Sequence, residues 1–320
     1  MNSLSSKITV IAPARLHMGF IDLSASLGRN FGSIGVALNE INTTIELSPA
    51  NELCMLGIQS DRALSCLTQL CELLNVSNKL QLDIKSLIPE HVGLGSGTQM
   101  SLAIGMGLSA YYNLGLQVRD IAVLTSRGAR SGIGIATFEQ GGLVVDGGRG
   151  EKTLTPPVIS QMSVPDDWRF ILVFDSADQG LHGDDELKAF KELPSFPAEE
   201  AARLCYLLMM QGLPALAEQE LKLFGDVITQ LQSSVGDHFA AAQGGGVFTS
   251  VAVAEVMKTL QAEGAVAIGQ TSWGPTGFCM VKGKALADKL EQQVQEKFAH
   301  LESVTVMQAS VRNTGGQVIA

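Results

Sequence analysis

Short stretches of period two, the spacing of a strand with one face in a core, mark the first half of the chain. Residues 8–12 read as a strand. So do 34–38 and 41–47, where Ile41, Thr43, Ile45 and Leu47 share one face. Asn39 and Glu40 between them predict a tight hairpin turn. The period then becomes helical over 62–74, with Leu64, Leu67, Leu70, Leu73 and Leu74 apolar and Asp61 placed as N-cap. Alternation returns at Leu80, Leu82 and Ile84 and predicts a strand over 80–88, ended by Pro89. Residues 98–113 are apolar and rich in small side chains, the pattern of a buried helix, and Gly115 supplies its stop. A second helix is expected over 118–127. The glycine-dense stretch 132–150 brackets a short strand, Leu143–Asp146, and 169–174 reads as a buried strand followed by a loop over 175–185.

The second half is mostly helical at first, over 199–210, 214–232 and 253–264. Strands at 265–270 and 278–281, a helix at 285–298 and a last strand at 304–309 follow. Strands and helices interleaved in this way predict an α+β fold. The segment 156–165, bounded by prolines, is the best place to divide the chain into domains 1–160 and 161–320.

Composition narrows the function. With 46% hydrophobic and 17% charged residues, the 320-residue chain can bury real cores and is not disordered. Its formal net charge of -10 argues against a nucleic-acid partner, which needs a basic face. An anionic small molecule is still allowed, because a pocket can be locally positive. The five cysteines, Cys54, Cys66, Cys71, Cys205 and Cys279, are scattered and form no CxxC pair, so reduced thiols in a cytoplasmic protein are expected. The polar N-terminus predicts no signal peptide, and no apolar run suits a bilayer, so no membrane partner is expected.

The clearest chemistry lies at 89–99, Pro-Glu-His-Val-Gly-Leu-Gly-Ser-Gly-Thr-Gln. Gly93, Gly95 and Gly97 allow a tight turn and close approach of a ligand to the backbone. Leu94 sits between them, Ser96 and Thr98 add hydroxyls, and Gln99 enters the following helix. The free N–H groups of that helix point back at the turn, which favours phosphate. No Gly-Lys-Ser/Thr follows, so this is not a Walker loop; a plain connector onto a packed helix is the alternative.

Three segments together resemble the GHMP small-molecule kinase superfamily. They are Ala-Pro-Ala-Arg-Leu-His-Met-Gly at 12–19, the turn at 89–99, and Ser-Trp-Gly-Pro-Thr-Gly at 272–277. The resemblance implies a ribosomal-protein-S5-like N-terminal domain and a ferredoxin-like C-terminal domain. Where the kinases continue Ser-Ser-Ala, this chain has Ser96, Gly97, Thr98 and Gln99, which counts against ATP. A closer resemblance is to the β-ribofuranosylaminobenzene 5′-phosphate synthases of that superfamily. It rests on Ala14–Asp22, on Gly-Arg-Asn-Phe-Gly at 28–32, on 93–99, and on the distinctive run 127–148.

That resemblance implies a pentosyltransferase of tetrahydromethanopterin biosynthesis. It would join phosphoribosyl pyrophosphate to 4-aminobenzoate or 4-hydroxybenzoate, releasing CO2 and pyrophosphate. Mg2+ is expected with it, and no organic cofactor. Arg15 is expected on substrate anions and His17 in proton transfer; alternation puts Arg15, His17 and Gly19 on one side, with Asp22 beyond them. Arg29 and Arg130 are candidate anion ligands. Glu139 is a candidate base or metal ligand, by analogy with a kinase carboxylate, and Asp175 is expected at the site because it ends a buried strand. His182 and Glu186 belong to an implied substrate loop. For each of these a structural role, as a loop arginine, a helix cap or a satisfied core histidine, stays open. An ATP-dependent kinase and a non-catalytic binding protein on the same fold are the alternatives, and a homodimer is a reasonable assembly.

Overall fold

The chain starts with two strands longer than their alternation predicts, β1 (Ile8–Asp22) and β2 (Phe31–Pro49), in a computed structural model that describes residues 7–178, 193–243, 245–272 and 274–320. The expected hairpin at Asn39 and Glu40 does not form; β2 runs straight through. The reason lies near the far end of the chain. The Asn39 amide nitrogen donates to Ser310 O, and the Glu40 carboxylate accepts from the Ser310 N–H and hydroxyl. The two polar residues are thus matched in an extended conformation. β1 and β2 pair antiparallel along nearly their whole length, with register shifts between Pro13 and Arg15 and between His17 and Gly19. The bulges interrupt the strict alternation of β1, yet His17 and Gly19 line the same cavity.

β3 (Cys54–Gly57) and β4 (Leu80–Ser86) extend this sheet on one side; β5 (Leu143–Asp146) and β6 (Val158–Met162) branch from β2; β11 (Gln317–Ile319) returns to pair with β1. The proline-bounded segment therefore carries a strand of the first sheet. Helix α1 (Asp61–Leu73) is capped by Ser60, not Asp61: the Ser60 hydroxyl accepts from Ala63 N, and Asp61 sits in the first turn. α1 and α2 (Ser96–Tyr111) cover one face of the sheet over Val10, Ile45 and Leu82. α3 (Val118–Leu124) follows. α4 (Ile133–Glu139) forms inside the glycine-dense stretch, where no helical period is legible.

A second sheet takes the order β10-β7-β9-β8. Its strands are β7 (Trp168–Asp175), β8 (Val266–Gln270), β9 (Gly277–Lys282) and β10 (Val304–Ala309). In chain order this is 4-1-3-2, all antiparallel, the ferredoxin-like arrangement that the resemblance implies. α8 (Val251–Ala262) and α9 (Lys284–Lys297) cover its outer face over Ile171, Val173 and Cys279. Between β7 and β8 also lie α5 (Ala198–Leu207), a π-turn (Leu208–Gly212), α6 (Leu213–Ala217) and α7 (Leu221–Phe239). Gln219, at a φ of 60, breaks the helix expected over 214–232 into α6 and α7.

The inner faces of the two sheets meet. Leu16, Met18, Val36 and Leu143 from the first share one buried cluster with Phe170, Leu172, Phe278 and Met280 from the second and Phe224, Ile228 and Leu231 from α7. No helix among the described residues is long and apolar enough to cross a membrane.

Candidate active site

The three sequence segments converge, and hydrogen bonds tie them together. Thr271 Oγ1 accepts from the His17 N–H at 3.0 Å and donates to Gly93 O at 2.9 Å. Thr276 Oγ1 donates to Val92 O at 2.8 Å. Arg15 Nη1 donates to Gly93 O at 2.6 Å and to Ser272 Oγ at 3.0 Å, while its backbone N–H donates to Leu94 O. Two glycine turns pack backbone on backbone: a Cβ on Gly93 would lie 2.6 Å from Thr271 O, and one on Gly274 would lie 2.8 Å from Gly93 N. Gly93 also has a φ of +76, the left-handed region that only glycine enters cheaply.

Gly95, at φ +79, caps α2 without any side-chain bond, and the first turn of α2 holds no acidic residue. The free N–H groups at that end are therefore not answered by a carboxylate of their own turn. Leu94 is a core residue, buried among the inner-face side chains. The two departures from the kinase pattern have physical readings. Gln99 is fully buried, and its Nε2 donates to Gly134 O at 2.7 Å, joining α2 to α4. Thr98 packs its methyl group beside Gly134. Gly97 leaves room for a guanidinium: a Cβ there would overlap Arg62 Nη2 and lie 3.5 Å from Arg127 Nη1.

His17 is the most unusual group. Its side chain is buried, and Nε2 has no hydrogen-bond partner among the described residues. Burial, and secondarily the Arg15 charge, hold its pKa well below the ordinary imidazole value, so the ring is neutral. It lines a cavity of about 30 Å³ with Phe20, Gln232, Phe239, Gln270 and Ser272. The Phe20 ring stands edge-on to it at 4.7 Å between centroids. The wall opposite is fixed by Gln232, which donates to Met18 O and accepts from Gln270 N.

The chain matches the model of the GHMP kinases N terminal domain over residues 61–142 and that of the GHMP kinases C terminal over 213–300. A curated β-ribofuranosylphenol 5′-phosphate synthase from Archaeoglobus fulgidus is 32% identical over 96% of this chain and 97% of its own. One from Methanocaldococcus jannaschii is 30% identical over 96% and 98%. The chain belongs to this synthase family. Solved structures add the fold alone. A homoserine kinase from Cytophaga hutchinsonii aligns with TM-score 0.66 at 17% identity, covering 100% of this chain and 99% of that one. Mevalonate diphosphate decarboxylase from Staphylococcus aureus gives 0.65 at 13%, covering 98% of each. The family is thus one of enzymes built on the GHMP kinase fold.

Within this synthase fold, the remaining candidates take varied positions. Arg29 is exposed and closes the turn after β5, with Nε donating to Gly147 O and Nη2 to Gly148 O, both at 2.8 Å. Asp22 ends β1 and accepts from the Ser24 N–H and hydroxyl at 2.7 Å. Arg130 is partly buried just before α4. Asp146 is wholly structural in its contacts. Its carboxylate accepts from the Ser33 hydroxyl and from the N–H groups of Gly132 and Gly148, and so caps α4; burial nonetheless pushes its pKa up.

Glu139 stands apart from the glycine-rich turn, at the far end of α4, and both its oxygens are engaged by Arg119 at 3.0–3.2 Å. That fork also reaches Thr155 and Pro156 O, so Glu139 anchors the loop after β5. Asp175 lies at the same end of the second sheet as the 271–276 turn, because Val173 and Gln270 both face Gly277. Its carboxylate accepts from the Ser250 hydroxyl at 2.7 Å and the Ala177 N–H at 3.0 Å. Burial alone would raise its pKa; those bonds, with Ser303, hold it below the ordinary value. His182 and Glu186, with Trp273, lie outside the described residues.

No group of three or more His, Cys, Asp or Glu among the described residues is disposed to hold a metal ion. Sequence reasoning did not single out Thr271, Arg119 or Arg62. Arg62 opens a surface helix, where a cation is ordinary, and only the approach of α1 to α2 gives it meaning.

Proposed function

We propose that the chain condenses phosphoribosyl pyrophosphate with 4-hydroxybenzoate, releasing pyrophosphate and CO2 to leave a β-ribofuranosylphenol 5′-phosphate. 4-Aminobenzoate would react in the same way. The relatives are named for a phenol product, which favours the hydroxy acid. The observation that carries the reading is the buried, neutral His17, whose ring Nε2 has no hydrogen-bond partner among the described residues and whose backbone N–H is joined through Thr271 to the glycine-rich turn.

The bond from the anomeric carbon to pyrophosphate oxygen breaks, and the ring carbon bearing the carboxylate supplies the electron pair for the new carbon–carbon bond. Loss of CO2 from that carbon returns the pair to the ring and restores aromaticity. Two needs follow. The leaving pyrophosphate needs cations and N–H donors where its charge grows. The para oxygen needs a partner that holds or takes its proton, so that its electrons push into the ring.

The turn at 93–97 and the start of α2 answer the first need. His17 answers the second: a neutral imidazole accepts a proton that an imidazolium cannot. The cavity beside it admits a group of water size and not a benzene ring, so the para oxygen would enter and the ring would remain outside, towards Ser272. Arg15, packed along Gly95 and bonded to Gly93 O and Ser272, keeps that wall rigid and adds positive charge. Mg2+ would be carried in chiefly on the pyrophosphate oxygens, where it offsets charge on the leaving group. Asp22, with one oxygen committed to Ser24, is the carboxylate of this set best able to help hold it, whereas Glu139 is committed to Arg119.

Incubating the purified chain with phosphoribosyl pyrophosphate, Mg2+ and carboxyl-labelled 4-hydroxybenzoate should release labelled CO2 and pyrophosphate in equal amounts. Folded protein that releases neither, with either benzoate, rejects the proposal. ATP turnover with a small-molecule acceptor would favour the kinase alternative instead.

A further inference from the structure

We propose that Arg62 and Arg127, brought together over Gly97, hold the pyrophosphate end of the sugar donor. The inference rests on the phosphoribosyl-transfer reading and goes further by assigning one end of the donor to a place.

It starts from an electrostatic oddity. Arg62 lies in the first turn of α1, and Arg127 follows α3, 65 residues further along the chain. Both guanidiniums reach the same point beside the first turn of α2, the position a Gly97 side chain would fill. Two cations side by side repel unless something between them is negative. Arg127 is half-buried, and among the described residues its guanidinium donates hydrogen bonds only to the Ser101 hydroxyl, at 3.0 and 3.2 Å. Ser101 in turn donates to Gly97 O at 2.9 Å, which fixes the guanidinium against the helix. Burial first, and the Arg62 charge second, lower the pKa of Arg127. Among the described residues Arg62 has one ion pair, to Glu90 at 3.1 Å, with both side chains 42% exposed. Such an exposed pair adds little.

A pair of guanidiniums, one of them fixed on Ser101, without a buried counter-charge among the described residues and on a chain of net charge -10, is set up for an anion from outside. The pair, and not the helix end as such, marks the site. Both forks come within 3.5 Å of one point, which suits a group with several charged oxygens. A diphosphate answers both forks at once, whereas a monophosphate leaves one partly unanswered. Gly97 then determines specificity: any side chain there displaces the Arg62 guanidinium. The Ser of the kinase pattern would do so. Gly97 has no positive φ, and the atom in the way is the end of a flexible, exposed arginine. Gly97→Ala should therefore fold normally, and alanine should even favour the helix.

Titration calorimetry on the full chain tests this with two probes at fixed ionic strength, inorganic pyrophosphate and ribose 5-phosphate. Arg62→Gln, Arg127→Gln and Gly97→Ala should each weaken pyrophosphate binding about tenfold or more, the loss expected for a charge-assisted bond. Ribose 5-phosphate affinity should stay within about twofold, and the melting temperatures of Arg62→Gln and Gly97→Ala should not fall. The proposal is overturned if the wild-type chain does not bind pyrophosphate. Unchanged pyrophosphate affinity in Arg62→Gln and Gly97→Ala, or a loss confined to ribose 5-phosphate, overturns it equally. A wild-type chain that binds pyrophosphate through these arginines yet forms no product sinks the reaction and leaves the site standing.

Discussion

His17 pairs deep burial with a ring nitrogen that no described residue answers, a combination that costs stability unless a ligand uses it. His17→Gln should fold and lower kcat by about 10²-fold or more, the range of a lost general base. Steady-state rates unchanged in that variant would remove His17 from the chemistry. Its pKa, lowered in the folded chain, also has a stability consequence. The unfolded chain takes up the proton near the ordinary value of 6.5, and the folded chain only well below it. Stability contributed by the neutral ring is thus complete above about 6.5 and falls as pH drops below it. His17→Gln should show a shallower loss of melting temperature between about pH 6.5 and 5 than the wild type. Glu139 predicts the reverse pattern of effects. With both oxygens on Arg119, Glu139→Gln should cost about 1 kcal/mol of stability in denaturant titration while kcat stays within about threefold. A kcat loss of a hundredfold at unchanged stability would restore it as a catalytic group. Sequence alone cannot separate these two residues. Each is a polar group among glycines and apolar neighbours, and what distinguishes them is a partner found in one case and missing in the other.

At the scale of elements, the glycine-rich turn was legible because its requirement is local. Positive φ at Gly93 and Gly95, and a small-residue helix directly after them, are written in consecutive residues. Gly93→Ala should destabilise the chain by about 1–3 kcal/mol, through left-handed backbone and the contact with Thr271 O, and raise the KM for phosphoribosyl pyrophosphate. Thermal denaturation and a donor titration check both. The hairpin at Asn39 was misjudged for a reason of the opposite kind. A polar pair between apolar runs signals a turn only when it has no extended partner, and Ser310 supplies one from 270 residues further along. α4 was missed because its start is capped by Asp146, ten or more residues downstream, and not by a neighbour. On α5, Glu200 pairs with Arg203 and joins α7 through Ser234; these bonds outweigh burial, which alone would raise its pKa, and hold it at about 2. That depressed value adds stability above about 4.5, lost as pH falls towards 2. Glu200→Gln should flatten that acid limb.

On the whole-molecule scale, the two sheets do not have separate interiors. Leu16, Met18 and Val36 share a buried cluster with Phe170, Leu172 and Phe278, and α7 closes the gap between them. β11, from the end of the chain, pairs with β1 at its start. Both features predict one cooperative unfolding transition for the two halves. Trp168, fully buried beside Phe224, reports on the second half by fluorescence, and far-ultraviolet circular dichroism reports on both. Coincident urea midpoints are expected. Separate midpoints would mean that the seam is weaker than its burial implies.

What the sequence determined by itself was whatever depends on nearest neighbours. Strand and helix periods, the glycine turn, the order of the three segments and the family they mark are all readable along the line of the chain. The tertiary structure alone decided which polar groups are answered. It matched Glu139 with Arg119 and Asn39 with Ser310, left His17 Nε2 without a partner among the described residues, and set Arg62 beside Arg127. The physical reason is that charge and hydrogen bonding act over a few ångströms in space, whatever the separation along the chain.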